Sequence, residues 1–159
     1  MKYYVILIFI LYSHCLFAQK DTLPANDFSE NKDSIAIEKN GKVMKFAYSD
    51  LANMYMQSGI DAAGKGDFQT AISDFETALT YTPDNPDIYF NIGLVQYFMK
   101  DYEKSVIMIS KAIEMDNSNI EYYNQRGISY SAAERFDDAE ADFEKMLELY
   151  PQSADAHTN

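Results

Sequence analysis

Thiols and imidazoles, the side chains best suited to act as nucleophile, base or metal ligand near neutral pH, are scarce in this 159-residue sequence. Cys15 is the one thiol, and His14 and His157 are the two imidazoles. A catalytic thiolate or general base works through a partner held within hydrogen-bond reach. His157 stands in a short tail with no fixed partner, and no glycine-rich phosphate loop occurs. Carboxylates are abundant, and Asp137, Asp138, Glu140, Asp142 and Glu144 form the densest run. Such a run reads first as the solvated outer face of a helix, and second as a cation site or a contact for a basic partner. Asp84-Asn85-Pro86-Asp87 and Asp116-Asn117-Ser118-Asn119 resemble calcium ligands in composition. They lack the ligand spacing of a calcium loop, and helix capping accounts for them. The sequence therefore predicts a protein that is not an enzyme, with no metal site and no cofactor.

The formal charge of -12 and a pI near 4.4 argue against nucleic acid, whose phosphates are met by clustered Lys and Arg. An anionic membrane surface is disfavoured for the same reason. At the N-terminus, Lys2 precedes an unbroken apolar run from Tyr3 to Tyr12. Ten residues fall short of the roughly 20 that span a bilayer, and fit the apolar region of a secretory signal. Leu16-Phe17-Ala18 offers a cleavage site, so residues 1–18 are expected to be a signal peptide and Gln19 the new terminus. Tyr12-Ser13-His14 before Cys15 is unlike a lipid-attachment site, so lipoprotein anchoring through Cys15 is not expected. Removal of the signal leaves no thiol and therefore no disulfide.

Residues 19–45 form a polar lead-in without apolar periodicity over Lys20–Asp33. Over 34–46, Ile35 and Ile37 alternate with Ala36 and Glu38, and Asn40-Gly41 is a favoured two-residue turn. Two readings stay open there: a small β-hairpin, or a flexible tether.

From residue 52 the sequence repeats every 34 residues. Gly59, Gly93 and Gly127 align, as do Tyr55, Tyr89 and Tyr123, and Phe68, Tyr102 and Phe136. Ala71, Ser105 and Ala139 form a small column, Phe75, Ile109 and Phe143 a bulky one, and Pro83, Asn117 and Pro151 close each unit. In this period and these columns, residues 52–85, 86–119 and 120–153 resemble tetratricopeptide repeats. The resemblance implies an all-α fold, three helix-turn-helix units in a short right-handed α-solenoid. Helices are expected over about 47–64, 68–81, 87–99, 102–115, 120–133 and 136–149. Each glycine belongs where the second helix of its hairpin crosses closely, and Asn85 with Pro86 suits a helix start. The sequence departs from the pattern at Met146, where Ala78 and Ala112 stand in the other units, and at Ala62 and Gln96, where Tyr130 supplies an aromatic. Residues 154–159 read as a tail or the start of a further helix, leaving the third unit without a polar cap.

The resemblance also implies a concave groove lined by the first helix of each unit. Carried residue by residue, it places Met56 and Ile60 from the first unit there, with Asp87, Phe90, Leu94, Tyr97 and Phe98 from the second, and Glu121, Asn124 and Ile128 from the third. Asn53, Ala63, Gly64, Ser131 and Ala132 take the remaining groove positions, and Asn91 and Gln125 join the rim. Some relatives grip acidic chaperone C-termini with a clamp of Lys, Asn and Arg. The matching positions here are Met56, Ile60, Asn91, Glu121 and Gln125, and only Asn91 fits. Glu121 repels a carboxylate. The expected function is a non-catalytic scaffold binding a segment of another protein, periplasmic or secreted in a Gram-negative bacterium. The alternatives are a self-associating structural module, homo-oligomeric through the uncapped third unit, or an accessory subunit of an envelope enzyme or assembly complex.

Overall fold

The structure, a computed structural model, describes residues 33–39 and 42–150. The expected signal peptide, most of the polar lead-in, the Asn40-Gly41 turn and the tail from Pro151 onward lie outside the described residues.

Of the two readings of residues 34–46, the structure holds the hairpin. Strands β1 (Ser34–Lys39) and β2 (Lys42–Ala47) pair antiparallel, with Ser34 opposite Ala47 and Ile35 opposite Phe46. A two-stranded sheet is marginal alone. Here β2 runs straight into the first helix, and the Tyr48 N–H donates to the Asp33 carbonyl at 2.8 Å.

Among the described residues six helices follow: α1 (Tyr48–Gly64), α2 (Phe68–Tyr81), α3 (Pro86–Phe98), α4 (Tyr102–Met115), α5 (Ile120–Ala132) and α6 (Phe136–Leu149). Each end lies within one residue of the expected range. Side-chain caps explain most of the starts. Asn85 and Asn119 accept from the N–H groups of Asp87 and Glu121, each at 3.0 Å, and Pro86 opens α3 where its missing N–H costs nothing. Asp67 and Asp101 accept from Thr70 and Lys104 in the same way. Arg135 takes the equivalent place before α6 and makes no cap; it pairs with Asp138 and Glu103.

The first helix of each hairpin ends in one repeated turn. Gly66, Lys100 and Glu134, spaced at the repeat, have φ of 79°, 65° and 61°. Their N–H groups bond back to Ala63, Tyr97 and Ser131, while the next N–H reaches Ala62, Gln96 and Tyr130. This paired bonding satisfies the last carbonyls of the helix and reverses the chain within a few residues.

The repeated glycines lie at helix crossings. A β carbon on Gly59 would stand 2.7 Å from Phe75 Cε1, on Gly93 2.5 Å from Ile109 Cγ1, and on Gly127 2.7 Å from Phe143 Cε1. The bulky column, more than the small one beside it, fills the space that each glycine leaves.

The core follows the stacking. One cluster joins Ala52, Ala62, Ala71, Phe75 and Ala78 of the first hairpin to Ile88, Ile92 and Val95 of the second. Another joins Phe90, Ile109, Ala112 and Ile113 to Tyr122 and Tyr123 of the third. Each hairpin thus completes its core on the next, as expected of units that cannot bury an apolar face alone. The repeated tyrosines also lock the turns: Tyr89 and Tyr123 hydroxyls donate to the carbonyls of Pro83 and Asn117, one repeat apart. Met146 is half-buried and packs against the second cluster.

The acidic run on α6 is not uniformly solvated. Asp142 is buried and takes a two-pronged bond from Arg126 on α5, Nε to Oδ2 at 2.8 Å and Nη2 to Oδ1 at 2.6 Å. Arg126 also donates to Ser110 Oγ on α4 at 3.0 Å and lies over the rings of Tyr123 and Tyr130. Its hydrogen bond to Asp142 raises the guanidinium pKa above its ordinary value. A charge run in sequence does not distinguish the one inward position from its neighbours; the pairing partner lies 16 residues away on another helix.

Candidate partner-binding groove

Between the first helices α1 and α3 lies a hollow of about 330 Å³. Ile60, Ala63 and Gly64 of α1 line one side, and Asn91, Leu94, Val95 and Phe98 of α3 the other, with Phe68 and Phe75 of α2 completing it. Its shape follows from residue sizes. Gly64, Phe98 and Ala132 occupy the same place in successive units. At Gly64 an added β carbon would meet nothing within 4 Å, so the wall is thinnest there. At Phe98 a ring projects instead, 63% exposed, stacked on Phe68 at 6.4 Å between centroids. An exposed ring stacked nearly parallel on a half-buried one, beside an apolar hollow, is a surface suited to contact.

Of the residues expected to line a groove, the structure brings Ile60, Asn91, Leu94 and Phe98 together in this hollow. Tyr97 sits beside it, half-buried, edge-on to Phe98 and tilted against Tyr102. Met56 is half-buried against the first core cluster. Asn124 is exposed and Ile128 half-buried on α5, both apart from the hollow. Phe90 requires a correction. It is only 8% exposed and packs on Tyr122 at 4.9 Å, filling the gap between α3 and α5. Tyr122, directly opposite, presents a ring large enough to cover it, so Phe90 belongs to the core and is closed to a guest.

Polar groups frame the groove at the N-terminal ends of α3 and α5. Asp87 Oδ1 accepts the Tyr122 hydroxyl at 2.5 Å, which fixes the carboxylate and ties the second unit to the third. Burial, then the bond to Asp87 and its charge, push the Tyr122 phenol above its ordinary value. Asn91 donates to the Asp87 backbone carbonyl at 2.8 Å, holding its amide along the helix. Glu121 is exposed in the first turn of α5.

Phe68 was not among the expected lining residues, because it belongs to a second helix. Its signal was present in the aromatic column Phe68, Tyr102 and Phe136, each standing at the start of a second helix. Among the described residues there is no cluster of three or more metal-ligating side chains, and no helix is long and apolar enough to cross a membrane.

Stacked helical hairpins with an apolar face left open define the class of α-solenoid repeat proteins. Within that class, the chain belongs to the tetratricopeptide repeat family. Residues 86–119 and 120–153 each match the family described as Tetratricopeptide repeat, and residues 64–99 match TPR repeat. Curated relatives include mouse Peptidyl-prolyl cis-trans isomerase FKBP4, 31% identical over 70 residues, which are 44% of this chain and 15% of that protein. Stress-induced-phosphoprotein 1 of Caenorhabditis elegans is 36% identical over 59 residues, 37% of this chain and 18% of that one. The chain therefore matches less than a fifth of either relative's length. Among solved structures, the first TPR of Spaghetti (RPAP3) bound to HSP90 peptide SRMEEVD superposes with a TM-score of 0.62 at 23% identity, covering 65% of this chain and 82% of that one. MamA gives 0.61 at 26% identity, covering 65% and 61%. The tandem helical-repeat architecture is common to all of them.

Proposed function

We propose that this chain is a non-catalytic scaffold that binds a segment of a partner protein in the concave groove, with the hollow between α1 and α3 as its anchor point. The observation that carries the reading is the exposed Phe98 ring beside an apolar hollow that Gly64 leaves open. A solved relative of this fold holds a peptide, which supports the same use of the architecture here. The test compares the full chain with Phe98→Ser and Gly64→Leu in capture from envelope fractions, with bound proteins identified by mass spectrometry. Both variants alter exposed positions, so their melting should stay near that of the parent while capture is lost. Capture that survives both would move the partner site elsewhere.

A second reading, self-association through the third unit, has its own observation. Phe136 is 65% and Leu147 46% exposed on α6, whereas of their counterparts one unit earlier Tyr102 is half-buried and Ile113 buried. Light scattering separates the two: a dimer that Phe136→Ser with Leu147→Ser dissociates would favour self-association.

Export to the periplasm or outside the cell is part of the same proposal, supported by Lys2 and the apolar run Tyr3–Tyr12. N-terminal sequencing of the protein recovered from its native compartment should find Gln19 first.

A further inference from the structure

The residues that frame the groove at the starts of α3 and α5 are acidic, and this bears on what it can hold. Its three first helices carry four acids, Asp50, Asp61, Asp87 and Glu121, and one cation, Arg126, whose guanidinium is already bound by Asp142. Asp87 and Glu121 both stand in first turns, and the Tyr122 hydroxyl that follows Glu121 in sequence clasps Asp87. The apolar hollow lies further along, at Leu94 and Phe98. Lys65 and Lys100 follow the opposite ends of α1 and α3, after Gly64 and Met99.

Asp87 and Leu94 are seven residues apart on α3, a separation of about 10 Å at 1.5 Å per residue. An extended chain advances about 3.3 Å per residue, so about three of its residues cover that distance. We propose that the groove takes a partner segment bearing a bulky apolar residue, seated in the hollow, with a Lys or Arg about three residues away to meet Asp87 and Glu121. This inference rests on the groove reading above and adds the chemistry of the guest. It excludes acidic tails of the kind that SRMEEVD represents, because their carboxylates would face Asp87 and Glu121 across the same groove.

The experiment uses the full chain and four fluorescein-labelled synthetic peptides with a leucine anchor in a glycine-serine background. They carry lysine three positions from the anchor, glutamate there, serine there, or lysine with the leucine replaced by serine. Fluorescence anisotropy at low salt should rank lysine above serine above glutamate, with lysine at least about threefold tighter than glutamate, as exposed charge pairs allow. The preference should shrink as salt rises from about 50 to about 500 mM, because the pairs are screened. Glu121→Gln should reduce the lysine preference by weakening the lysine peptide more than the serine peptide. The anchorless peptide should bind least, and Gly64→Leu should weaken every anchored peptide. Equal binding of lysine and glutamate peptides, with anchor dependence and Gly64→Leu sensitivity retained, would overturn the charge inference and leave the groove reading standing. Binding that ignores both the anchor and Gly64→Leu would overturn the groove reading, and this inference with it.

Discussion

Ile109 occupies the space that a side chain on Gly93 would need: its Cγ1 lies 2.5 Å from where the β carbon would be, and the Ser105 carbonyl oxygen lies 3.2 Å away. The contact involves a branch close to the backbone of α4 and a main-chain oxygen, neither of which can swing aside. Gly93→Ala should therefore destabilise the chain by about 1–3 kcal/mol through overpacking, and Gly93→Leu by more. Gly64→Ala, at a helical glycine with open space beyond it, should do the reverse and stabilise by about 0.4–1 kcal/mol. Urea titrations of the two alanine variants compare these directly. Equal changes would contradict the crossing geometry.

The turn after each first helix gives an independent stability test. Gly66, Lys100 and Glu134 share a left-handed conformation, but only the first is the residue type that adopts it without strain. In the left-handed region an L side chain costs roughly 1–2 kcal/mol, part of which glycine returns by loosening the unfolded chain. Lys100→Gly and Glu134→Gly should each stabilise by about 0.5–1 kcal/mol net. Gly66→Ala should lower the melting temperature.

The buried pair in the third unit can be exchanged for the residues of the second. Arg126 and Asp142 stand one repeat beyond Ile92 and Met108, which belong to or pack against an apolar cluster. Removing one charge strands the other: Asp142→Met alone should cost about 3 kcal/mol. The double variant Arg126→Ile with Asp142→Met should recover most or all of that loss, since well-packed apolar substitutes often match a buried ion pair. A double variant as unstable as the single one would show that the bond from Arg126 to Ser110 on α4 matters more than the ion pair.

Tyr122 gives the stack an alkaline limit. Its phenol is raised in the folded state, by burial first and then by the bond to Asp87. A folded pKa above the unfolded one means that the unfolded chain ionises first as pH climbs. The stability contributed by Tyr122 is therefore fully present below the unfolded value of about 10, and is lost as pH rises from there toward the folded value. Tyr122→Phe should be less stable near neutral pH by about 1 kcal/mol for the lost hydrogen bond. It should also lose less stability on going above pH about 10. Parallel pH curves for parent and variant would argue against a perturbed Tyr122.

Phe90 separates core from groove. Phe90→Ala should unfold or loosen the second and third units by about 3–5 kcal/mol, as for a buried aromatic. Phe98→Ser should leave circular dichroism and melting nearly unchanged, because that ring is mostly in solvent.

The 34-residue period determined by itself that this chain is a stack of paired helices, and it placed their ends, because caps, crossing glycines and apolar columns are signals that recur at one spacing. The resemblance to tetratricopeptide repeats, not the period itself, implied that Ile60, Asn91, Leu94 and Phe98 belong to one groove. Which apolar residue faces a guest and which faces another helix was decided only in three dimensions. Phe90 and Phe98 lie on the same helix with similar chemistry, yet Phe90 is sealed by Tyr122 of the next unit, whereas Phe98 stacks one face on Phe68 and stays 63% exposed. Likewise Asp142 turns inward within an acidic run because Arg126, on a different helix, offers its guanidinium there. Periodicity reports which side of a helix faces its own hairpin. The size and charge of the residue arriving from a neighbouring helix decide whether that side is sealed.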